Sequence, residues 1–580
     1  MNSQIFHPFV LPFVLGMAFV LTYCAVGFLR VIGQLPKDDR KKFWRSLVTP
    51  KTAWANVRDL VGDCLFHVKI WKRNPVLGYM HTAIAFGWFM IIVIGHIMLF
   101  TLKPLEGVEV EGFSRLFTNF YYPIFFKYFA EETPVFAFLM DFFLMMIISG
   151  ILIAVVKKIH SKIVGVKRVM HFGFADNMIR FALWTIFPFR LIAEKTNIMA
   201  FWWLYSIDLL VFMFMLPFTR YMHIPTEALF ILLRHAGLKP REPRKGYALA
   251  QIYSCPSCGL CIDACPMSVN DKNSGNTSAY FMKRLRNGDK DEAQRIAETC
   301  MQCGKCVAVC PVSIESCDIK MSQRESVPYN IKSDHSYLDE YICRDALNAS
   351  SSNASVLYFA GCMTQLTPKI MRAMKQIMEA AGEKYEFLDK DGGICCGRPM
   401  LLSGKTAEAQ AMIAKNTELI KKSGAKRLVL SCPICYKVFK EEYHLEGFEI
   451  LHHTQYIDEL IKQGKLKVGK NEVNYVYHDP CELGRAFGVY DEPREVIESI
   501  GHLKKAKSEK ELSICCGGSL GSFNLTQRER DEITMNSVND LMHNKPDEIV
   551  TACPLCLKTF ARKSPVAVKD IAEVVATNLT

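Results

Sequence analysis

The sequence lacks the motifs of several common cofactor and catalytic sites. It has no dinucleotide-binding glycine fingerprint, because Gly392-Gly393 and Gly517-Gly518 belong to cysteine motifs. No Ser/His/Asp or paired-carboxylate constellation stands out, and basic residues are not interleaved with aromatic ones as in nucleic-acid binders. These absences argue against flavin, nicotinamide and nucleic-acid binding, and against hydrolysis.

Cysteine, in contrast, is abundant and regularly spaced. All 22 cysteines fall into metal-ligand patterns except Cys24, Cys64, Cys317 and Cys343. Metal ligands must be thiolates, which indicates a reducing compartment for the half of the chain that carries them. Half of the 580 residues are hydrophobic, with the excess in roughly the first 230, and the net charge of +12 lies largely in two loops beside these apolar segments.

Two runs of the form C-x2-C-x2-C-x3-C-P begin at Cys255 and Cys300. In this ferredoxin spacing three thiolates bind one [4Fe–4S] cubane and the fourth ligates its neighbour. Zinc and disulfides are the alternatives, but zinc ribbons use two separated C-x2-C pairs. The predicted ligand sets are Cys255, Cys258, Cys261 and Cys310 for one cluster, and Cys300, Cys303, Cys306 and Cys265 for the other.

Apolar segments predict helices long enough to cross a hydrocarbon core of about 30 Å. The strongest are 8–33, 76–100, 135–156 and 198–221. Basic residues follow the first and third of these spans, which places the N-terminus outside and both basic loops in the cytoplasm. The second span is followed by an acidic, outer loop that carries Glu106, Glu109, Glu111, Glu131 and Glu132.

A fifth crossing is needed to keep the cysteines in the cytoplasm. The segment 176–193 is only moderately apolar and contains Arg180 and Arg190, so hydropathy alone favours an interfacial helix. The last span must run inward, however, and we therefore predict that this segment crosses outward before it.

Two histidines fit this topology as a haem site. His81 lies near the inner end of the second span and His223 at the inner end of the last. A facing pair of neutral imidazoles in a helical bundle is a bis-axial haem b site, while either histidine alone is more often interfacial. His67 and His171 belong to the basic loops and are expected to contact phospholipid or nothing.

The C-terminal half contains an internal duplication with a period of about 120 residues. Each copy alternates strands and helices, with cysteines where strands end, as in an α/β layer. Five thiolates exceed the need of one cubane or one zinc ion, so the composition favours an unusual iron–sulfur cluster in each copy. The two sets are Cys362, Cys395, Cys396, Cys432 and Cys435, and then Cys481, Cys515, Cys516, Cys553 and Cys556.

Residues 1–235 resemble the cytochrome b subunit of respiratory nitrate reductase, a five-helix family with two haems. His81 and His223 match the family's histidine pair near the cytoplasm. The resemblance puts the deeper pair at Ile91 and Tyr205, neither of which is an imidazole, so we predict one haem b, with a quinone pocket between helices two and five. His7 and His96 are the alternative ligands for a second haem. Arg190 is a functional candidate or a snorkelling side chain near the outer end.

Residues 355–560 resemble the CCG domains of heterodisulfide reductase, with all ten cysteines matched. His478-Asp-Pro-Cys481-Glu-Leu-Gly-Arg485 and Tyr490-Asp-Glu-Pro-Arg494 resemble the second-copy signature of that group. The resemblance implies a noncubane [4Fe–4S] cluster in each copy. The domain order resembles a fusion of membrane-bound heterodisulfide reductase subunits, and bacterial relatives that link flavoproteins or dehydrogenases to menaquinone.

The expected fold is therefore multidomain, and the expected function is electron transfer. The expected fold comprises an all-α five-helix transmembrane bundle (1–235), a small α-rich ferredoxin domain (236–349) and duplicated α/β CCG domains (350–455 and 456–580). We predict an oxidoreductase of the cytoplasmic membrane that exchanges electrons between the quinone pool and a soluble partner such as a flavoprotein. The alternatives are a thiol/disulfide reductase and a non-catalytic docking subunit.

Overall fold

The protein is described by a computed structural model that covers most of the chain. The described residues are 7–101, 121, 123–125, 133–160, 162–163, 170, 173–327, 354–390, 394–519 and 524–580, with the side chains of 99–101 and 271 left out. The predicted acidic outer loop, His171, Cys343, Gly392-Gly393 and the predicted boundary between 349 and 350 lie outside these residues.

Four of the helices are long and apolar enough to cross a membrane, which agrees with the four strongest predicted spans. Their mean hydropathies lie between 1.8 and 2.6, and most of their surface faces away from the protein, as expected of helices solvated by lipid. They are α1 (Val10–Gly33), α5 (Pro75–Thr101), α6 (Pro134–Ile159) and α8 (Met199–Met215), the last continued by a 3₁₀ turn to Phe218.

The predicted fifth crossing is a helix as well, α7 (Phe174–Thr196), and it packs along α8. It is less apolar than the other four because it carries charges such as Arg180 and Arg190. Arg190 does not snorkel toward an aqueous surface, because it is only 2% exposed. The helix is thus as predicted, whereas its passage through a membrane remains a prediction.

The first basic loop is more structured than the sequence suggests. It forms α2 (Lys37–Val48), α3 (Pro50–Asp59), a π-helical turn (Leu60–Leu65) and the short α4 (Val68–Trp71). His67, between the π turn and α4, has φ 50° and ψ 41°, a left-handed conformation that is uncommon outside glycine. After the last span come α9 (His223–His235) and α10 (Gly246–Ser254).

The chain divides into two units, and the ferredoxin segment is shared between them. One unit is 1–263 with 310–314, and the other is 264–309 with 315–580. Cys255, Cys258, Cys261 and Cys310 thus belong to the first unit, and the second predicted ligand set belongs entirely to the second. The helices of this segment are α11 (Leu260–Ala264), α12 (Ser278–Asn287), α13 (Lys290–Thr299), α14 (Lys305–Ala308) and α15 (Ser316–Ser326).

Each cysteine-rich copy contains a four-stranded parallel sheet flanked by helices, as the alternating pattern predicts. The strand orders are equivalent, β2-β1-β3-β4 in the first copy and β6-β5-β7-β8 in the second. The strands are β1 (Val356–Phe359), β2 (Tyr385–Phe387), β3 (Arg427–Leu430), β4 (Glu449–His452), β5 (Asn474–His478), β6 (His502–Lys504), β7 (Glu548–Thr551) and β8 (Ala567–Asp570).

Helices connect these strands at equivalent places in both copies. In the first copy they are α16 (Cys362–Gln365), α17 (Pro368–Ala380), α18 (Arg398–Leu402), α19 (Thr406–Lys422), α20 (Pro433–Glu441) and α21 (His453–Lys462). In the second they are α22 (Gly484–Phe487), α23 (Asp491–Glu498), α24 (Gln527–Leu541), α25 (Pro554–Phe560) and α26 (Ile571–Thr577).

The two copies share one hydrophobic core because the last helix of each copy packs against a helix of the other. Helix α21 of the first copy packs against α23 of the second, and α26 of the second packs against α17 of the first. Buried residues of both sheets belong to the same apolar cluster. This reciprocal packing brings equivalent ends of the two sheets together, which decides where the cysteines lie.

Candidate metal centres

The second ferredoxin ligand set lines a cavity together with a cysteine that the sequence pattern leaves unassigned. The cavity is lined by Cys265, Cys300, Cys303, Cys306 and also Cys317. Cys317, on α15, is hydrogen-bonded to both Cys300 and Cys306. Its hydrogen bond lowers the pKa of Cys306 and so favours the thiolate, which is the form that binds iron.

A buried lysine accompanies these thiolates. Lys320 is 2% exposed, and its Nζ donates to Ser278 Oγ at 2.9 Å and lies 3.5 Å from Cys300 Sγ. Burial favours the neutral amine, but the thiolates of Cys300 and Cys306 outweigh it and raise the pKa of Lys320. A cation at this place would partly neutralise the charge of a cluster bound by these thiolates.

The first ferredoxin set lies in the other unit. Cys310 lies near Cys255 and Cys258, and its sulfur accepts the Ile314 N–H at 3.4 Å. Burial raises the pKa of Cys310 to about 12, a cost that a bound metal would remove by holding the sulfur as a thiolate. Lys157, at the end of α6, is close enough to interact electrostatically with Cys258.

The five cysteines of the first copy form one continuous set of contacts. Cys395 is hydrogen-bonded to Cys362 and Cys396, and Cys435 to Cys396 and Cys432. Glycine precedes Cys362 for a steric reason, because a Cβ on Gly361 would lie 2.9 Å from Cys435 Sγ. Five buried or half-buried thiols with no disulfide among them are a donor set suited to iron and sulfide.

The second copy repeats this arrangement contact for contact. Cys515 is hydrogen-bonded to Cys481 and Cys516, and Cys556 to Cys516 and Cys553. The Sγ atoms of Cys516 and Cys556 are 3.2 Å apart. One buried histidine, His478, lies within ligand distance of these two sulfurs.

Two further contacts join the cysteine sets of this unit into a series. Cys303 of the second ferredoxin set is hydrogen-bonded to Cys515 of the second copy. Cys432 of the first copy is hydrogen-bonded to Cys553, its equivalent in the second. The order is therefore ferredoxin set, second copy, first copy, with direct sulfur contact at each junction.

The predicted haem histidines lie in a cluster of basic side chains. His81 is close enough to interact electrostatically with His223, and also with His67, Lys157 and Arg220. The His67 ring stacks on the His81 ring with centroids 5.2 Å apart, so His67 contacts a candidate ligand, and the expectation that it contacts phospholipid or nothing is corrected. His223 Nδ1 is 2.8 Å from the Arg220 carbonyl, a contact that orients the imidazole ring.

The two positions that correspond to the deeper haem ligands of the resembled cytochrome b family hold a packed apolar side chain and a tyrosine next to an ion pair. Ile91 and Tyr205 are both buried in the membrane-domain core. Tyr205 accepts a hydrogen bond from Arg190 Nη1 at 3.4 Å, and Arg190 pairs with Glu194 at 2.8 Å. Of the alternative ligands, His96 Nδ1 is 2.8 Å from the Ile92 carbonyl on its own helix, and His7 Nδ1 accepts the Phe9 N–H.

Family comparisons agree with the two kinds of cysteine pattern. Residues 251–314 match the 4Fe-4S dicluster domain, and residues 356–440 and 475–561 each match the Cysteine-rich domain called CCG. The chain therefore carries a dicluster ferredoxin domain and two CCG domains. These domain types indicate iron–sulfur clusters as its cofactors.

Several curated proteins are similar to this chain over part of their length. "EtfAB:quinone oxidoreductase" of Syntrophomonas wolfei is 31% identical over 41% of this chain and 37% of its own length. A component of the dihydromethanophenazine:CoB–CoM heterodisulfide reductase of Methanosarcina barkeri is 30% identical over 38% of this chain and 58% of its own. "Probable membrane-anchored ferredoxin" of Chromohalobacter salexigens is 28% identical, covering 40% and 37% respectively. The chain thus spans about a third to two thirds of such relatives, which are iron–sulfur oxidoreductases.

Proposed function

We propose that this protein is a membrane-bound iron–sulfur oxidoreductase that exchanges electrons between the quinone pool and a soluble redox protein. The observation that carries the proposal is the sulfur series from Cys303 through Cys515 and from Cys553 to Cys432. Clusters bound at these sulfurs would lie close together, which favours rapid electron transfer. The name of the relative EtfAB:quinone oxidoreductase suggests an electron-transfer flavoprotein as the soluble partner and a quinone as the partner in the membrane.

The proposed membrane end is one haem b held by His81 and His223. The donor set fits, because two imidazoles lie close together and the carbonyl contact at His223 Nδ1 orients one of them. Lys157 and Arg220 supply positive charge for the propionates of a haem at this place. The occupied positions of Ile91 and Tyr205 support one haem rather than two, with α7 as the fifth crossing and the iron–sulfur domains in the cytoplasm.

This arrangement places quinone chemistry on the inner side of the membrane. With one haem near the inner face, quinone turnover at that haem exchanges its protons with the cytoplasm and moves little charge across the bilayer. The quinone pocket then lies beside the haem, between α5 and the end of α8. The four predicted domains, with boundaries at 235, 349 and 455, are proposed as the functional divisions of the relay, and α21, the last helix of the first copy, extends past the last of these boundaries.

One observation favours a second candidate, a thiol/disulfide reductase. Cys432 and Cys553 occupy equivalent positions and meet where the two copies join, so two clusters would face each other at one place. A disulfide bound there could receive one electron from each side. The relative from the heterodisulfide reductase of Methanosarcina barkeri supports this candidate.

The test uses the full chain reconstituted in liposomes with menaquinone under anaerobic conditions. Reduced electron-transfer flavoprotein is added, and quinone reduction and a potential-sensitive dye are followed together. We expect quinone reduction without a substantial potential, one haem per chain by pyridine haemochrome, and loss of both haem and turnover in His81→Ala/His223→Ala. Reduction of a small disulfide but not of quinone would favour the reductase, and neither activity with intact clusters would indicate a docking subunit.

A further inference from the structure

The internal duplication provides a comparison at the residue three positions before the first cysteine of each copy. In the first copy this residue is Phe359, and in the second it is His478. Phe359 is fully buried, and its ring meets the Phe439 ring edge-on at 5.1 Å. His478 is 2% exposed and meets Phe560, the equivalent of Phe439, edge-on at 4.7 Å.

The fold therefore accepts a phenyl ring where the second copy has an imidazole. Burying an imidazole costs free energy that a phenyl ring does not, unless its nitrogens find partners. Packing alone thus explains Phe359 but gives no reason for an imidazole at His478. A group that the second copy binds and the first does not bind in the same way would give that reason.

The surroundings of His478 supply that reason. One ring nitrogen of His478 and the Sγ atoms of Cys516 and Cys556 all lie within 4.8 Å of one another, and all three residues are buried. Imidazole with two thiolates at such distances is a donor set for iron or zinc. The two sulfurs belong to the five-cysteine set of the second copy, so the imidazole lies at the edge of that cluster's binding site.

We propose that His478 is a sixth donor of the second cysteine-rich copy and ligates an iron of its cluster. The two copies are then chemically different sites, five thiolates in the first and five thiolates with one imidazole in the second. A neutral imidazole adds no negative charge to the cluster, and imidazole ligation raises the reduction potential of iron–sulfur centres relative to thiolate. The second copy is thereby the more easily reduced of the two.

The decisive measurement detects the nitrogen itself. The full chain is purified anaerobically with ¹⁵N-labelled histidine and poised at a series of potentials, and each paramagnetic cluster signal is examined by pulsed EPR. We expect one cluster signal with a strongly coupled histidine ¹⁵N. Low-spin ferrous haem is diamagnetic in reduced samples and does not contribute there. If every cluster signal shows only weak nitrogen couplings at all potentials, the proposal is overturned.

Two variants assign the coupling to the residue. His478→Phe gives the second copy the residue of the first, and should remove the strong ¹⁵N coupling and lower the midpoint potential of that cluster. His502→Phe, at an exposed histidine on β6 of the same copy, is the matched control and should change neither. A coupling that survives in His478→Phe contradicts the assignment. If that variant loses iron instead, the wild-type ¹⁵N spectrum still decides between ligation and mere packing.

Discussion

The two cysteine-rich copies have the same strand order and the same series of four contacts among five sulfurs, yet their neighbours differ. Cys515 of the second copy touches Cys303 of the ferredoxin set. Its equivalent in the first copy is Cys395, whose carbonyl accepts a hydrogen bond from the Asn416 side chain at 2.9 Å. Four residues after the first cysteine, the second copy has Arg485 and the first has the exposed Leu366. The same framework of five sulfurs thus occurs twice, and in the proposed relay its surroundings would make the second copy an intermediate and the first an end point.

The loop before the first cysteine shows a second difference. In the first copy the buried Asp389 accepts the N–H groups of Ala360 and Gly361 at 2.9 and 2.8 Å. The second copy has Pro480 there, which has no N–H, and relies on Asp479 instead. Asp479 pairs with Arg494 at 2.7 and 2.9 Å and accepts the Lys510 N–H at 2.8 Å. The same loop is thus held by a lone carboxylate in one copy and by an ion pair in the other.

The largest expected effect concerns the order of the relay. Cys515→Ser should leave the second ferredoxin cluster reducible by a quinol but abolish reduction of the first-copy cluster. Among the described residues, the only series of sulfur contacts that leads to the first copy passes through the second copy. Cys395→Ser, the equivalent change, should damage the first copy alone and leave reduction of the second intact. Freeze-quench EPR after mixing with menaquinol measures both. Equal effects of the two variants would contradict an ordered relay.

The loop comparison predicts a smaller effect on stability. Asp479→Asn removes one partner of a buried ion pair and leaves Arg494 uncompensated, so local stability of the second copy should fall by about 3 kcal/mol. Hydrogen exchange of the β5 and β7 amides in the full chain measures it. Asp491→Asn, which breaks the exposed pair with Lys510, is the control and should cost less than about 1 kcal/mol. A similar cost for both would show that the Asp479 pair does not hold this loop.

Sequence predicts what depends on local spacing. The four strongest spans and the alternation of strands and helices in both cysteine-rich copies agree with the sequence pattern, because periodicity is a local property. The short edge strands β2 and β6 carry too few residues for a pattern. The contact of Cys303 with Cys515 joins residues about 200 positions apart, and no spacing rule encodes it.

The residues that sequence reasoning misses are those whose role depends on such packing. Cys317 follows Cys310 by seven residues, outside any ligand spacing, and only α15 brings it to Cys300 and Cys306. His67 falls in a loop that the sequence predicts to be solvated, because nothing in the sequence signals the π turn that directs it toward His81. The signal for His478 is its alignment with Phe359, which the duplication makes visible.

A further expected effect concerns the charge of Arg485, which donates to the Cys303 carbonyl at 2.6 Å and to Ser513. Its Nη2 is buried without a hydrogen-bond partner among the described residues, and the Cys303, Cys481 and Cys515 thiols lie around it. Removing one charge at about 6 Å with an effective dielectric constant of about 20 is worth ~3 kcal/mol, or on the order of 100 mV. Arg485→Leu should therefore lower the midpoint potential of the second-copy cluster by that amount in an EPR-monitored titration.

The control for this charge effect is the reciprocal change in the other copy. Leu366→Arg adds a guanidinium at an exposed position, where water screens it, and should leave the first-copy potential unchanged within the error of the titration. Arg485→Lys should keep most of the wild-type potential because it keeps the charge. A large shift in Arg485→Lys, with none in Arg485→Leu, would exclude an electrostatic role.

The smallest expected effect is a pH dependence confined to the first copy. Burial raises the pKa of Asp389 to about 6, although the N–H groups of Ala360 and Gly361 oppose the shift. A carboxyl whose pKa is higher in the folded than in the unfolded chain binds more protons when folded, so the stability it contributes is lost as pH rises through about 6. Hydrogen exchange of β1 between pH 5 and 7, corrected for intrinsic rates, should show a loss on the order of 1 kcal/mol. In Asp389→Asn the loss should disappear, and β5, in the copy held by the Asp479 ion pair, serves as the internal reference in the same sample. An equal slope for β1 and β5, or one unchanged by the substitution, would assign the pH dependence to the clusters rather than to Asp389.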